Sequence, residues 1–125
     1  MLVETLAKIL KEAWSRETSC WPEKWTSENP ALGQCFVTAL IVQDFFGGEI
    51  IRAKVPGLGY HYFNRLPNGK EIDLTYSQFT TPVQMGPITV WPRKSRRKIK
   101  QMPQIIKRYQ ILKQRVEQRI KQLNS

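Results

Sequence analysis

One stretch constrains the fold more than any other: Asn29-Pro30-Ala31-Leu32-Gly33-Gln34-Cys35-Phe36-Val37-Thr38-Ala39-Leu40-Ile41-Val42-Gln43-Asp44-Phe45-Phe46-Gly47-Gly48. It opens with helix-start chemistry, a capping-type Asn followed by Pro, and closes on Gly-Gly, where a helix needs a residue able to take a left-handed C-cap. Between these marks Phe36, Val37, Ala39, Leu40, Ile41, Val42, Phe45 and Phe46 leave almost no polar face, which predicts a central helix buried on most sides. Cys35 falls in its first turn. There, unpaired backbone N–H groups and the positive end of the macrodipole favour a thiolate over a thiol. The same residue also fits a plainer role as a small buried apolar side chain.

A chain of 125 residues is long enough for one domain with a core that needs no disulfide or metal staples. Its start, Met1-Leu2-Val3-Glu4-Thr5-Leu6, is helical in pattern and lacks the basic n-region of a signal peptide. The longest apolar run, around 39–46, is interrupted by Gln43 and Asp44 and falls short of a membrane span. Nothing marks the chain as secreted, so Cys20 and Cys35 are expected to be reduced, in the cytoplasm. The net charge of +10 is unevenly placed: Trp91 onward holds twelve Lys/Arg against Glu117 alone, whereas residues 1–90 hold eight against nine acids. The expected organisation is a single globular α+β domain over 1–91, followed over 92–125 by a basic connector and an amphipathic helix packed on that domain.

Residues 2–14 carry Leu2, Leu6, Ile9, Leu10, Ala13 and Trp14 at helical spacing. Residues 15–30 show no period and read as an ordered loop tied down by Trp21 and Trp25. Glu49–Val55 is rich in β-branched residues and predicts a strand, ending at the turn Pro56-Gly57-Leu58-Gly59. Residues 60–66 and 70–76 predict two further strands around Pro67-Asn68-Gly69, a three-residue hairpin loop with Gly69 at the left-handed site. Residues 86–91 fit a further strand or an extended edge. From Pro103, the residues Ile105, Tyr109, Leu112, Val116, Ile120 and Leu123 recur at helical spacing.

The hairpin loop length bears on chemistry. Pairing of Leu66 with Lys70 places His61 opposite Thr75 and Phe63 opposite Asp73. His61 and Asp73 then lie diagonally on one face of the sheet, roughly 7 Å apart at the backbone. A two-residue turn would shift the register by one and send them to opposite faces. Cys35, His61 and Asp73 thus suit a thiol nucleophile, a base, and a carboxylate that holds the imidazole tautomer. His61 is the only histidine in the chain. Asn29, six positions before Cys35, and the adjacent Gln34 are candidate oxyanion donors alongside the Cys35 backbone N–H. Trp21, Trp25 and Tyr62 are candidate substrate-binding residues.

This order resembles the papain-like and transglutaminase-like cysteine hydrolases, including the NlpC-type peptidases, over roughly residues 29–76. That resemblance implies a Cys on a buried helix, a His on the next strand and a polar third member on the strand after. It also implies an amide oxyanion donor at the position of Asn29. A more specific resemblance spans most of the chain. Trp21-Pro22, Trp25, Asn29-Pro30, Gly33-Gln34-Cys35, Gly47-Gly48, His61-Tyr62, Asn64-Arg65, Asp73-Leu74-Thr75 and Arg108-Tyr109 with Leu112 are similar to the bacterial YunG-like family. It implies that Cys35, His61 and Asp73 belong to the family's defining pattern.

Other readings stay open at this point. His61 fits a satisfied half-buried histidine among Tyr60, Tyr62 and Phe63, and Asp73 fits an exposed outer face. A zinc site would need Cys20 as fourth ligand beside Cys35, His61 and Asp73, and the spacing argues against it. With no phosphate-binding glycine loop and no HExxH helix, neither metal nor cofactor is expected. Arg93, Lys94, Arg96, Arg97, Lys98 and Lys100 read as a solvated basic face or as a surface for nucleic acid or an acidic partner. The stripe Ile105–Leu123 suits packing on its own domain or on a second copy. The expectation is an α+β domain with a papain-like cysteine-hydrolase-type core, the Cys35 helix lying against a sheet of three to four antiparallel strands. Its function is that of a cysteine hydrolase or acyl transferase acting on an amide, peptide or thioester. The alternative is a non-catalytic binding module on the same scaffold.

Overall fold

The computed structural model describes residues 1–125. Helix α1 spans Val3–Ala13, α2 Cys35–Phe46 and α3 Pro103–Leu123. Strands β1 (Glu49–Val55), β2 (Gly59–Arg65), β3 (Glu71–Ile72) and β4 (Thr89–Val90) form one antiparallel sheet in the order β3-β2-β1-β4. Short 3-10 segments occupy Arg16–Thr18, Tyr76–Gln78 and Arg93–Gln101. The architecture is α+β, with helices flanking a four-stranded antiparallel sheet.

Helix α2 is apolar all round because it is covered on two sides. Val37, Ile41 and Val42 meet Leu6, Ile9 and Leu10 of α1 and Leu112 and Val116 of α3. Ala39 and Leu40 meet Ile50 of β1 and Ile99. Polar ties fix its placement: Trp14 Nε1 donates to Thr38 Oγ1 at 2.9 Å, and Asn64 Nδ2 donates to the Ala39 carbonyl at 3.0 Å. The sheet face turned away from this layer carries Ile51, Ala53 and Phe63, with Met85 packed over them. Gly47 ends α2 at φ +73 and ψ −152, a positive-φ conformation open to glycine but not the left-handed helical cap that the Gly-Gly pair predicts.

The hairpin register is the one required by the three-residue loop. Leu66 N–H donates to the Lys70 carbonyl at 2.8 Å, Arg65 pairs with Glu71 and Asn64 with Ile72, and Gly69 sits at φ +87. Two local expectations are corrected. Cys35 opens the helix, in its first turn as expected, but the start signal at Asn29-Pro30 belongs to successive turns over 29–34: Leu32 N–H bonds the Asn29 carbonyl and Gln34 N–H bonds that of Ala31. Strand β3 is two residues long and does not run through 70–76. Asp73 Oδ1 accepts from Thr75 N–H at 3.2 Å, a local side-chain-to-backbone bond that turns the chain out of the ladder.

The basic connector coils into the 3-10 segment Arg93–Gln101 and buries Ile99. Asp44, near the end of α2, then gathers Arg96 at 2.5 Å, Lys113 at 3.0 Å and the Tyr109 hydroxyl. Helix α3 is thereby joined to α2 by charge as well as by its apolar stripe. No helix is long and apolar enough to cross a membrane.

Candidate active site

Cys35 is the first residue of α2, and no side chain caps that helix end. Its first-turn N–H groups are therefore without intrahelical acceptors. The loop before it is laced into place. Ser19 Oγ donates to the Leu32 carbonyl at 2.8 Å, and Cys20 N–H donates to the Gly33 carbonyl at 2.9 Å. Gly33, at φ +74, permits this approach: a Cβ there would lie 2.2 Å from Ser19 Oγ and 3.0 Å from Cys20 N. Gly33→Ala is expected to destabilise the fold by about 3 kcal/mol through strain and overlap. A urea melt checks this, and an unchanged midpoint would show that the loop yields freely.

His61 lies on β2 opposite Ala53, with its side chain 2 % exposed. Its ring is pinned between Phe63, stacked at 5.7 Å, and Phe79, edge-on at 4.9 Å. Nε2 is 2.7 Å from Asp73 Oδ2, while Oδ1 of the same carboxylate is held by Thr75. The turn that ends β3 therefore also aims Asp73. With Nε2 committed to the carboxylate, Nδ1 is left on the cleft side of the ring, where Cys35 and Gln78 share the lining with His61. Burial disfavours the imidazolium, but the bond to Asp73 and then the contact with Cys35 outweigh it, raising His61 from 6.5 to about 9. The histidine of this site is cationic at neutral pH.

Cys35 and His61 open onto a cleft of about 240 Å³ lined also by Cys20, Trp21, Leu58 and Phe79. Gln78, which sequence reasoning did not single out, enters it too. The 3-10 turn Tyr76–Gln78 brings its amide Nε2 to 3.4 Å from His61 Nδ1, while Oε1 faces Gly33 N–H at 3.4 Å. No local pattern marks this residue; its placement follows from the turn that Asp73 begins. Cys20 is also at the cleft wall. Desolvation there, and then the nearby Cys35 charge, push the Cys20 thiol up.

Several expected site residues lie elsewhere. Gln34 is wholly buried, donating from Nε2 to the Ser15 carbonyl at 2.9 Å and accepting from Thr18 Oγ1 at 2.8 Å, so its amide braces the loop. Asn29 donates from Nδ2 to the Gln78 carbonyl at 3.0 Å. It thus holds the Gln78 turn and does not line the cleft. Trp21 lines the cleft, but Trp25 bonds the Pro30 carbonyl at 3.0 Å as a loop brace. Tyr62 points to the other face of the sheet and packs on Phe36. In the basic run, Arg96 is taken up by Asp44, Gln43 and the Leu40 carbonyl, whereas Arg93, Lys94, Arg97, Lys98 and Lys100 make no ion pair.

The fold and site define a small α+β domain whose lone histidine joins a cysteine and an aspartate at one cleft. The chain belongs to the YunG family: the family model described as "YunG protein" matches residues 2–121. The chain is similar to a Bacillus subtilis (strain 168) protein described as "Uncharacterized protein YunG", 44% identical over 82 residues, covering 66% of this chain and 67% of that one. No solved structure matches the chain.

Proposed function

We propose that the protein is a cysteine hydrolase or acyl transferase acting on an amide, peptide or thioester, on a core of papain-like type. The observation that carries this reading is the 2.7 Å contact of His61 Nε2 with Asp73 beside Cys35 at an uncapped helix start. Asp73 fixes the ring so that Nδ1 faces the sulfur. Cys35 attacks the acyl carbon as the thiolate, and the Cys35 backbone N–H with the Gln78 amide receives the oxyanion. Cationic His61 supplies the proton that the leaving amine or thiol takes. Neutral His61 then draws a proton from water, or from an acceptor nucleophile, as the thioester on Cys35 is broken.

The test is release of a chromogenic thiol from an aryl thioester, with a chromogenic amide in parallel. Wild-type turnover at least about a hundredfold above Cys35→Ala is expected. Equal rates for the two proteins across a range of acyl groups would count against the reading.

A second reading rests on the five cations of the 93–100 run that make no ion pair: a surface for nucleic acid or another polyanion. Removing 92–125 would not test it, because Leu112 and Val116 belong to the core. Replacing Arg93, Lys94 and Arg97 together by Gln keeps the core intact. On this reading the triple variant elutes from heparin at lower salt and loses about three from the slope of log affinity against log salt for RNA. An unchanged slope would leave the run as a solvated face.

A further inference from the structure

A second hollow, of about 390 Å³, shares no lining residue with the cleft. It lies between the starts of α2 and α3, β2 and the 3-10 segment, walled by Phe36, Tyr62, Trp91, Ile99, Met102 and Ile105. Phe36 meets Tyr62 edge-on at 4.8 Å and Trp91 at 5.2 Å, which gives the hollow a fixed aromatic wall. Its volume lies within the range of roughly 300–1,000 Å³ common to small-molecule sites.

The charges around it are of one sign. Lys98 and Arg108 are the charged residues in its lining, and no acid is among them. Elsewhere Arg65, Arg96, Arg115 and Arg119 each face a carboxylate. Arg108 does not, and its Nε, like that of Arg52 outside the hollow, is buried with no hydrogen-bond partner. Arg108 lines the hollow with no carboxylate facing it, so its guanidinium charge is left for an anion that enters there. A guanidinium fork matches the two oxygens of a carboxylate.

We propose that this hollow binds a small apolar carboxylate. Its hydrocarbon part, aromatic or medium-chain, lies among Phe36, Tyr62, Trp91 and Ile105, and its carboxylate is held by Arg108, with Lys98 at the rim. The site involves neither Cys35 nor His61, so it stands whether or not the cleft is catalytic.

The test is calorimetric titration of the full chain with 3-phenylpropionate, 3-phenylpropionamide and inorganic phosphate. The carboxylate is expected to bind about tenfold more tightly than the amide and than phosphate, because charge and hydrocarbon are both needed. Arg108→Gln, verified as folded by circular dichroism, is expected to bring acid and amide within about twofold of each other. In wild-type protein, amide and indole shifts on adding 3-phenylpropionate are expected at Phe36 and Trp91. Equal binding of acid and amide, phosphate binding as tightly as the acid, or no binding of 3-phenylpropionate at millimolar concentration would each overturn the assignment. So would shifts centred on His61, Gln78 and Phe79. If Arg108→Gln does not fold, the wild-type ligand series and shift map decide the matter.

Discussion

Asp73→Asn is expected to bring the His61 pKa down from about 9 and to slow alkylation of Cys35 at neutral pH by on the order of 10- to 100-fold. The carboxylate does two things to the ring. Against burial, its contact at 2.7 Å, together with the influence of Cys35, favours the proton on the imidazole, and its hold on Nε2 leaves Nδ1 to the cleft side of the ring. An amide at the same place retains part of the orientation and loses the charge. NMR titration of the single histidine reads the first effect without ambiguity, since no other imidazole is present.

The same substitution changes stability with a definite sign. A histidine whose folded pKa is raised contributes stability that is complete below its unfolded value near 6.5. That contribution is lost as pH rises through about 9. Wild-type protein should therefore lose stability between these limits, and Asp73→Asn should flatten that part of the profile. A wild-type urea midpoint that is level across the window, or a His61 pKa unmoved by the substitution, would show that the carboxylate does not govern the ring.

The second large effect concerns the two thiols. Iodoacetamide at mildly acidic pH is expected to modify Cys35 at least about tenfold faster than Cys20, and Cys35→Ala should remove the fast phase. Cys20 is the more exposed of the two, so access alone predicts the opposite order. Its thiol is pushed up by desolvation and by its neighbour, which keeps it protonated and slow. Cys35 has helix N–H groups and a cationic imidazole at hand. Peptide mapping after a short exposure distinguishes the two. Equal or faster labelling of Cys20 would show that Cys35 is not activated.

What was legible in the sequence was set by local periodicity and by turns with one strong solution. The run from Phe36 to Phe46 needed covering on most sides, and α1, α3 and the sheet cover it, leaving Asp44 and Phe45 exposed. Pro67-Asn68-Gly69 fixed a register, and through it the shared face of His61 and Asp73. What escaped was governed by side chains competing for the backbone. Asp73 reads as a strand residue until its own carboxylate captures Thr75 N–H, and Gln78 reaches the cleft only because that turn exists. Asn29 has the spacing of an oxyanion donor, yet its amide is spent on the Gln78 carbonyl. Gln34 adjoins Cys35 in sequence but points back to Ser15 and Thr18, since neighbouring residues at a helix start project in different directions. Tyr62 follows His61 by one place on a strand and is sent to the opposite face for the same kind of reason.

The most direct measurement is the mass of the intact protein during reaction with an aryl thioester, quenched in acid. The account predicts one added acyl group, mapped to Cys35, which disappears in Cys35→Ala and accumulates more slowly in Asp73→Asn. No acyl group on Cys35 at any time, or an equal yield on Cys20, would contradict it.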